Sequence, residues 1–459
     1  MKLLDVANDL NGSLYGNGEA YAAGVSIDTR KLEKGNLFFA LQGERDGHQF
    51  LLQAAEKGAA GAVVSEYTPE LSLPQIVVKD TLQAIQVLAA KHRLKFNVPV
   101  VAITGSNGKT TTKDMVAAVL SIKLQTLKNQ GNFNNELGVP LTLLRLDAFH
   151  QAAVVEMAMR GRHQIAELAR IAKPQIGIIT NIGSTHIELL GSVENIAQAK
   201  GELLQELSDD GIAILNGDDD RCRALGDRFS GRVIYYGLAE KNHVRALNIK
   251  QQHWQTAFEV DGLLEEGNIL CNLPLPGLHN VQNALAALIV GHYLGLEPEL
   301  LRRGLENVSL SAMRLEISEG INQSIIINDA YNANPVSMTA SLQILAEISS
   351  GRTIALLGDM FELGDYAENG HREVGAKVAE LGVDYLITVG DLADYIGQEA
   401  LVRGMDADRI VHCKDGQQVS QVLKNLIKPQ DTVLIKGSRG MQMEIIAKEL
   451  VETEEHNEY

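Results

Sequence analysis

Cysteine is scarce in this chain, and positive charge is outweighed. Three cysteines, Cys222, Cys271 and Cys413, are odd in number and widely spaced, so neither a disulfide framework nor a zinc cluster is indicated and a reducing compartment fits. Against 58 Asp and Glu there are 41 Lys and Arg, a formal charge of -17 that argues against general nucleic-acid binding and against docking on an anionic membrane. A membrane-spanning run is lacking too. The best apolar stretch, Ala284 to Leu296, is interrupted by Gly291 and His292, and the start "MKLLDVANDLNG" has no apolar core of signal-peptide length. Repeats and low-complexity tracts are missing, and the short acidic end "VETEEHNEY" is expected to fray. The expectation is a soluble, cytoplasmic protein with no nucleic-acid partner and no membrane insertion.

One further absence is local. The phosphate-loop pattern G-x-x-x-x-G-K-[ST] requires a glycine at position 103, where this chain has Ile103; its first loop glycine is Gly105. The physical parts are nevertheless present in "VVAITGSNGKTTTKDM". Val98 to Ile103 reads as a buried strand, Gly105 and Gly108 let backbone N–H groups approach phosphate oxygens, and the helix that follows favours an anion at its N-terminus. Lys109 would reach the terminal phosphates and the Thr110 hydroxyl would complete a Mg2+ shell.

A length of 459 residues suggests about three domains. Residues 1–97 mix short strands with amphipathic helices over Gln49 to Lys57 and Thr81 to Lys95. Residues 98–312 hold the loop and apolar runs, such as "AAVVEMAM" and "QIGIITNIG", that suit buried parallel strands carrying ligands at their C-terminal ends. Residues 313–459 alternate strand and helix with little interruption. The predicted fold is α/β in three domains: a small α/β N-terminal domain, a central P-loop ATPase domain with a mostly parallel sheet, and a C-terminal Rossmann-like doubly wound domain.

Several polar residues fall just beyond predicted strands. Glu156 and His186 follow two apolar runs of the central unit and read either as strand-end solvation or as metal and water ligands beside a triphosphate. Lys200 shares a helical stripe with Ile196, Leu203 and Leu207. It either snorkels with its ammonium in water or is buried with a lowered pKa, so that the neutral amine can react with CO2 and become an anionic ligand. Asn280, with His279 and Asn283, opens an apolar helix as an N-cap or as a reader of an adenine edge. In the third unit Asp329, Tyr331, Asn332 and Asn334 lie between a strand and a helix. Asp359, Glu362, Lys436, Ser438 and Arg439 end two more strands of the same sheet, on one polar edge.

The combination resembles the Mur ligases of peptidoglycan synthesis over the whole chain. It is carried by "SIDTR" (26–30), "LFFALQGERDGHQF" (37–50), "TGSNGKTTTK" (104–113), "GNFNNELGVPLT" (131–142), "EMAMRGRHQI", "TNIGSTHIELLGS", "AKGELL", "PGLHNVQNALAA", "NDAYNANPVSM", "LGDMFELG" and "KGSRGMQME". The family uses a compact G-x-x-G-K-T loop, which accounts for Ile103. "NDAYNANP" and the "DTR...DGH" pair select the member that adds a dipeptide, and no "DNPR"-type diaminopimelate motif is present.

The resemblance implies ATP-dependent amide ligation. The carboxylate of UDP-N-acetylmuramoyl-tripeptide attacks the γ-phosphate to give an acyl phosphate, the amine of D-alanyl-D-alanine attacks that carbonyl, and ADP and phosphate leave. It further implies that Gly105, Ser106, Asn107, Gly108, Lys109, Thr110 and Thr111 hold the phosphates with Arg314, while Asn280 and Asp329 address adenine and ribose. Two Mg2+ ions would be held by Thr110 and Glu156, and by His186 and a carbamylated Lys200; Lys109, Glu156, His186 and Lys200 would form the catalytic set. Ser26, Asp28, Thr29, Arg30, Asn134 and Asn135 would take the UDP-sugar, and Tyr331, Asn332 and Asn334 would also face substrate. A monomer with a hinge near 310–316 is expected. Two alternatives stay open: the diaminopimelate-adding relative or folylpolyglutamate synthase, with another acceptor, and a regulatory module that binds ATP without ligation.

Overall fold

The computed structural model describes residues 1–451; the acidic end from Glu452 onward, expected to fray, lies outside the described residues. Three sheets follow one another along the chain. The first has five strands in the order Ser13–Tyr15, Gln75–Val77, Gly61–Val64, Asn36–Phe39, Gly24–Ser26, parallel except for the antiparallel Ser13–Tyr15. Its helix Thr81–Arg93 turns outward and packs on helices Gly138–Leu143 and Gln164–Ala172 of the next unit. The joint is fixed by Arg93, which is buried and donates to the carbonyls of Ala172 (3.0 Å), Phe96 (2.6 Å) and Val98 (3.0 Å). Three carbonyl partners satisfy a guanidinium that no carboxylate neutralises, and burial pulls its pKa down.

The second sheet has nine strands. Val100–Thr104 lies between Ala152–Glu156 and Ile176–Ile179, all parallel, and Ile212–Asn216 pairs beyond Ile179. Each of these strands is buried along its whole length, which is why they read as unbroken apolar runs. The sheet is mostly parallel, as expected, and the exception is the far edge, where Val244–Gln252, Gln255–Asp261 and Ile269–Leu273 form an antiparallel meander. One face of that meander is wet, and its burial alternates residue by residue, the opposite signature to a doubly covered strand.

The third sheet runs Glu316–Gly320, Ser324–Asn328, Thr432–Lys436, Thr353–Gly358, Tyr385–Val389, Ile410–Cys413. Five strands are parallel and alternate with helices as expected, while Glu316–Gly320 adds an antiparallel edge that the charged stretch "EISEG" did not announce.

The helix that carries the phosphate loop, Lys109–Ser121, is almost wholly buried between its own sheet and helices Leu278–Tyr293 and Pro298–Glu306. Met115, Val116, Val119 and Leu120 are each fully buried, worth about 1.5–3 kcal/mol apiece. The close approach depends on glycine, because a Cβ at Gly304 would stand 2.6 Å from Val119 Cα and 3.1 Å from its carbonyl oxygen. We therefore expect Gly304→Val to overpack this contact and lower stability by about 1–3 kcal/mol, read as an earlier denaturant midpoint. An unshifted midpoint would show that the helices separate without cost.

Candidate active site

The phosphate loop leaves the central strand at Thr104 and turns at Gly105 and Gly108, with φ of +150° and +79°. Neither turn tolerates a side chain: a Cβ on Gly105 would stand 1.9 Å from Thr180 Oγ1, and one on Gly108 would stand 2.8 Å from Asn283 Oδ1. The end of the neighbouring strand braces the loop. Ser106 N–H donates to Asn181 O (2.9 Å), Asn107 N–H to Asn181 Oδ1 (2.9 Å), Thr180 Oγ1 to Asn107 O (2.6 Å), and Gly183 N–H to Ser106 Oγ (2.8 Å). The N–H groups of Lys109, Thr110 and Thr111 open the helix, where intrahelical acceptors do not exist, and they face the cleft.

Two lysines meet one carbonyl. Lys109 Nζ donates to Gly105 O at 2.8 Å and to Ser106 O at 3.2 Å, and Lys200 Nζ reaches the same Gly105 O at 3.0 Å from helix Val193–Gln205. Burial, and then their mutual repulsion, lowers the pKa of Lys200 far below that of a free lysine; burial also lowers that of Lys109, against the pull of Glu156. Lys200 is 2% exposed, so the snorkelling alternative, with its ammonium in water, is excluded.

Glu156 ends its strand 2% exposed, with Oε1 accepting from Asn134 Nδ2 at 2.8 Å and Oε2 buried without a partner. An orphaned carboxylate oxygen in the cleft that Thr110 also lines fits a cation. Among the described residues no three His, Cys, Asp or Glu side chains cluster as a metal site, so any ion here would rely on few protein ligands and on phosphate oxygens. His186, at φ +66°, is pushed toward neutrality first by burial and then by Lys109. Its Nδ1 approaches Glu362 Oε2 at 2.7 Å without hydrogen-bond alignment.

The third unit closes over this loop. Arg314 Nη2 donates to Thr110 Oγ1 (2.8 Å) while its guanidinium stacks on the Tyr331 ring at 4.1 Å. Asn334 Nδ2 donates to Asn107 Oδ1 (2.7 Å), and its own Oδ1 caps helix Pro335–Ile348 through Ser337 N–H (2.9 Å). The cleft so formed, about 820 Å³, also includes Asn280, Asp329, Asn332 and Asn135.

Some expected contacts are taken by the protein itself. Both oxygens of Asp329 are engaged, Oδ1 by Leu315 N–H (3.2 Å) and Oδ2 by Ser341 Oγ (2.6 Å) and Lys436 Nζ (2.5 Å). Asn280 is not an N-cap: Gly277 is, and the Asn280 amide donates back to Pro276 O at 2.7 Å. Asn135 Oδ1 accepts from Gly138 N–H (2.9 Å), while Asn134 serves Glu156. Ser26, Asp28, Thr29 and Arg30 lie outside this cleft, where Ser26 Oγ donates to Asp28 O (3.0 Å), Arg30 pairs with Asp28 (2.8 Å) and Thr29 bonds Gln53.

Two supporting residues escaped the sequence reading. Asn129 accepts from Glu156 N–H (2.7 Å), and Asp114, on the phosphate helix, accepts from Ser311 N–H (2.8 Å), Ser311 Oγ (2.7 Å) and Lys128 Nζ (2.7 Å). A polar residue one step past the strand Thr126–Lys128, and an acid on the buried face of a helix, were the available signals.

Family models match three consecutive parts of the chain: a Mur ligase family catalytic domain over residues 22–93, a Mur ligase middle domain over 103–291, and a Mur ligase glutamate ligase domain over 313–439. The chain belongs to the Mur ligase family. A UDP-N-acetylmuramoyl-tripeptide--D-alanyl-D-alanine ligase from Bacillus subtilis is 40% identical over 94% of this chain and 93% of its own length. MurF from Acinetobacter baumannii superposes with a TM-score of 0.88 at 32% identity over 98% of each chain. MurF from Thermotoga maritima, solved with ADP, gives 0.82 at 26% identity over 93% of this chain and 96% of that one. Among the described residues no helix is long and apolar enough to cross a membrane.

In this Mur ligase the steric demand at Gly105 is the most direct handle on the loop. Gly105→Ala forces the loop off Thr180, and a misplacement near 1 Å costs about a hundredfold in rate. ATP turnover should fall by that order while far-ultraviolet circular dichroism is kept; turnover within twofold of the parent would contradict this geometry.

Proposed function

We infer that the chain joins D-alanyl-D-alanine to UDP-N-acetylmuramoyl-tripeptide with ATP, giving UDP-N-acetylmuramoyl-pentapeptide, ADP and phosphate for peptidoglycan precursor synthesis. The observation that carries the reading is the meeting of two units on one phosphate loop: Arg314, from the segment that joins them, at Thr110, and Asn334, from the third unit, at Asn107. An enzyme that must activate one substrate and then admit a second needs such a divided site.

The chemistry follows from charge. A carboxylate and a triphosphate repel each other, and the cations gathered here, Lys109 and Arg314, offset that repulsion as charge shifts to the leaving phosphate. Lys109, released from the Gly105 and Ser106 carbonyls, would follow the terminal phosphate. Thr110 and Glu156, and His186 with a carbamylated Lys200, would hold Mg2+, which supplies further charge neutralisation at the phosphates when bound. The buried, neutral-leaning amine of Lys200 suits carbamylation: its nitrogen bonds the carbon of CO2 and one proton is released. We assign residues 1–97 to the UDP-sugar, 98–312 to ATP, and 313–459 to the dipeptide and to ATP contacts, with Asn280 toward the nucleoside and Asp329 reaching it by exchanging one of its present partners, Leu315, Ser341 or Lys436. We read the chain as a monomer, and the nucleotide-linked substrates suit the cytoplasm.

Incubation with UDP-tripeptide, ATP, Mg2+ and D-alanyl-D-alanine should release one phosphate per pentapeptide, counted by mass. Incorporation of a single amino acid instead, or ATP turnover without product, would sink the assignment. For Lys200, replacement by Ala should remove most activity, with partial rescue by acetate, and [13C]bicarbonate should give the parent a carbamate signal that the variant lacks. Full activity of Lys200→Ala would refute the ligand role.

A further inference from the structure

We propose that Glu362 and Arg439, beyond the ends of two neighbouring strands of the third sheet, form the acceptor site: Glu362 takes the ammonium of the dipeptide and Arg439 its terminal carboxylate. The proposal rests on the ligation reading above and assigns residues to its second substrate.

The acceptor arrives as a zwitterion. Lys109 and Arg314 already bring positive charge to the reacting end of the cleft, so its ammonium needs a carboxylate close by. Four carboxylates line the cleft, Glu136, Glu156, Asp329 and Glu362. Glu156 is buried on the central side, Asp329 has both oxygens engaged, and Glu136 sits on the exposed outer loop of the central unit. Glu362 alone comes from the third unit with an open carboxylate, its side chain 42% exposed, and it stands at His186, on the wall that holds the loop lysines.

Its loop is held in a conformation that residues with a Cβ avoid. Glu362 has φ +61°, and the backbone beside it is fastened from below: Met360 N–H donates to His371 Nε2 (3.0 Å), Phe361 N–H to Ser438 Oγ (2.8 Å), and Ser438 N–H to Asp359 O (2.9 Å). His371 is fully buried and its Nδ1 donates to Ala367 O at 2.6 Å, which fixes the tautomer that leaves Nε2 as acceptor. An exposed acid on so constrained a turn fits a residue placed for a ligand.

The other pole is adjacent. Strands Thr353–Gly358 and Thr432–Lys436 pair in parallel, and the loops that follow them meet where Phe361, next to Glu362, lies against Gly440, next to Arg439. Phe361, 44% exposed, packs against Gly440, where a Cβ would lie 2.8 Å from the ring, and offers a flat apolar floor for two methyl groups between the poles. Arg439 Nη1 contacts Glu444 Oε1 (2.8 Å) and the Met313 sulfur (3.1 Å), and its side chain is 53% exposed, leaving further N–H donors for a carboxylate.

The test compares two nucleophiles on one acyl phosphate. Hydroxylamine needs neither pole: its nitrogen bonds the acyl carbon, the carbon–oxygen bond to phosphate breaks, and phosphate leaves as a proton passes to water. Glu362→Gln and Arg439→Met should each lower the ratio of dipeptide ligation to hydroxamate formation by about ten- to hundredfold, the range for a lost charged hydrogen bond. D-alanyl-D-alaninamide, which lacks the carboxylate, should be a poor acceptor for the parent, and Arg439→Met should no longer distinguish it from the dipeptide. An unchanged ratio in either variant overturns the proposal, as does a loss in Glu362→Gln that excess Mg2+ restores, since that marks a metal ligand. A parent chain that forms hydroxamate but ligates no dipeptide fails the functional reading itself, a result visible before any variant is made.

Discussion

The carbonyl of Gly105 is where the architecture of this enzyme converges. Two lysines from different helices, Lys109 and Lys200, donate to that one oxygen, and Arg314 from the third unit stands close by on Thr110. Lys109 and Arg314 beside a single carboxylate, Glu156, repel each other, and burial with the charge of Lys109 favours the neutral amine of Lys200. Such a cluster persists because the surrounding structure holds it, and an incoming polyanion relieves it. The buried strands, the glycine turns and the nearly inaccessible phosphate helix all serve to keep these charges in place before any ligand binds.

The same logic explains why the linker between the second and third units is fastened at both ends and strained between them. Ser311 is held by Asp114, whose charge is opposed by burial but sustained by Lys113 and Lys128. Leu315 N–H is held by Asp329, which is itself pinned by Lys436 and Ser341. Met313 and Leu315 between these clamps adopt φ of +61° and +47°, a conformation costing roughly 1–2 kcal/mol each for residues with side chains. Arg314 lies between them, so the strained segment is also the one that delivers a cation to the phosphate site.

What could be read in advance follows from how each feature is encoded. Contiguous apolar runs announced the parallel strands, and the positions just beyond them announced Glu156 and His186. Lys200 stood out because a charge in an apolar stripe violates helical periodicity. The antiparallel meander of residues 244–273 was missed because its alternation is diluted by polar residues on its wet face. Asn334 was grouped with substrate contacts, yet it caps a helix and bridges to Asn107, a double use that one letter of sequence does not encode. Asp114 and Asn129 were missed for a related reason: their partners lie far away in sequence or are backbone groups, and neither leaves a periodic trace.

Glu362 shows where local sequence stops being informative and geometry takes over. In "LLGDMFELG" it is one acid among several strand-end residues, and nothing in that string requires a left-handed turn there. The turn comes from His371, eleven positions after Met360 and fully buried, together with Ser438 from another strand. Each fastens a neighbouring backbone N–H, and the residue next to them must take up the difference. A side chain forced into that conformation loses freedom before it meets anything, so less remains to be lost on binding. In a site whose opposite wall is crowded with positive charge, a carboxylate prepared in this way is the complement that an amine nucleophile needs in order to enter at all.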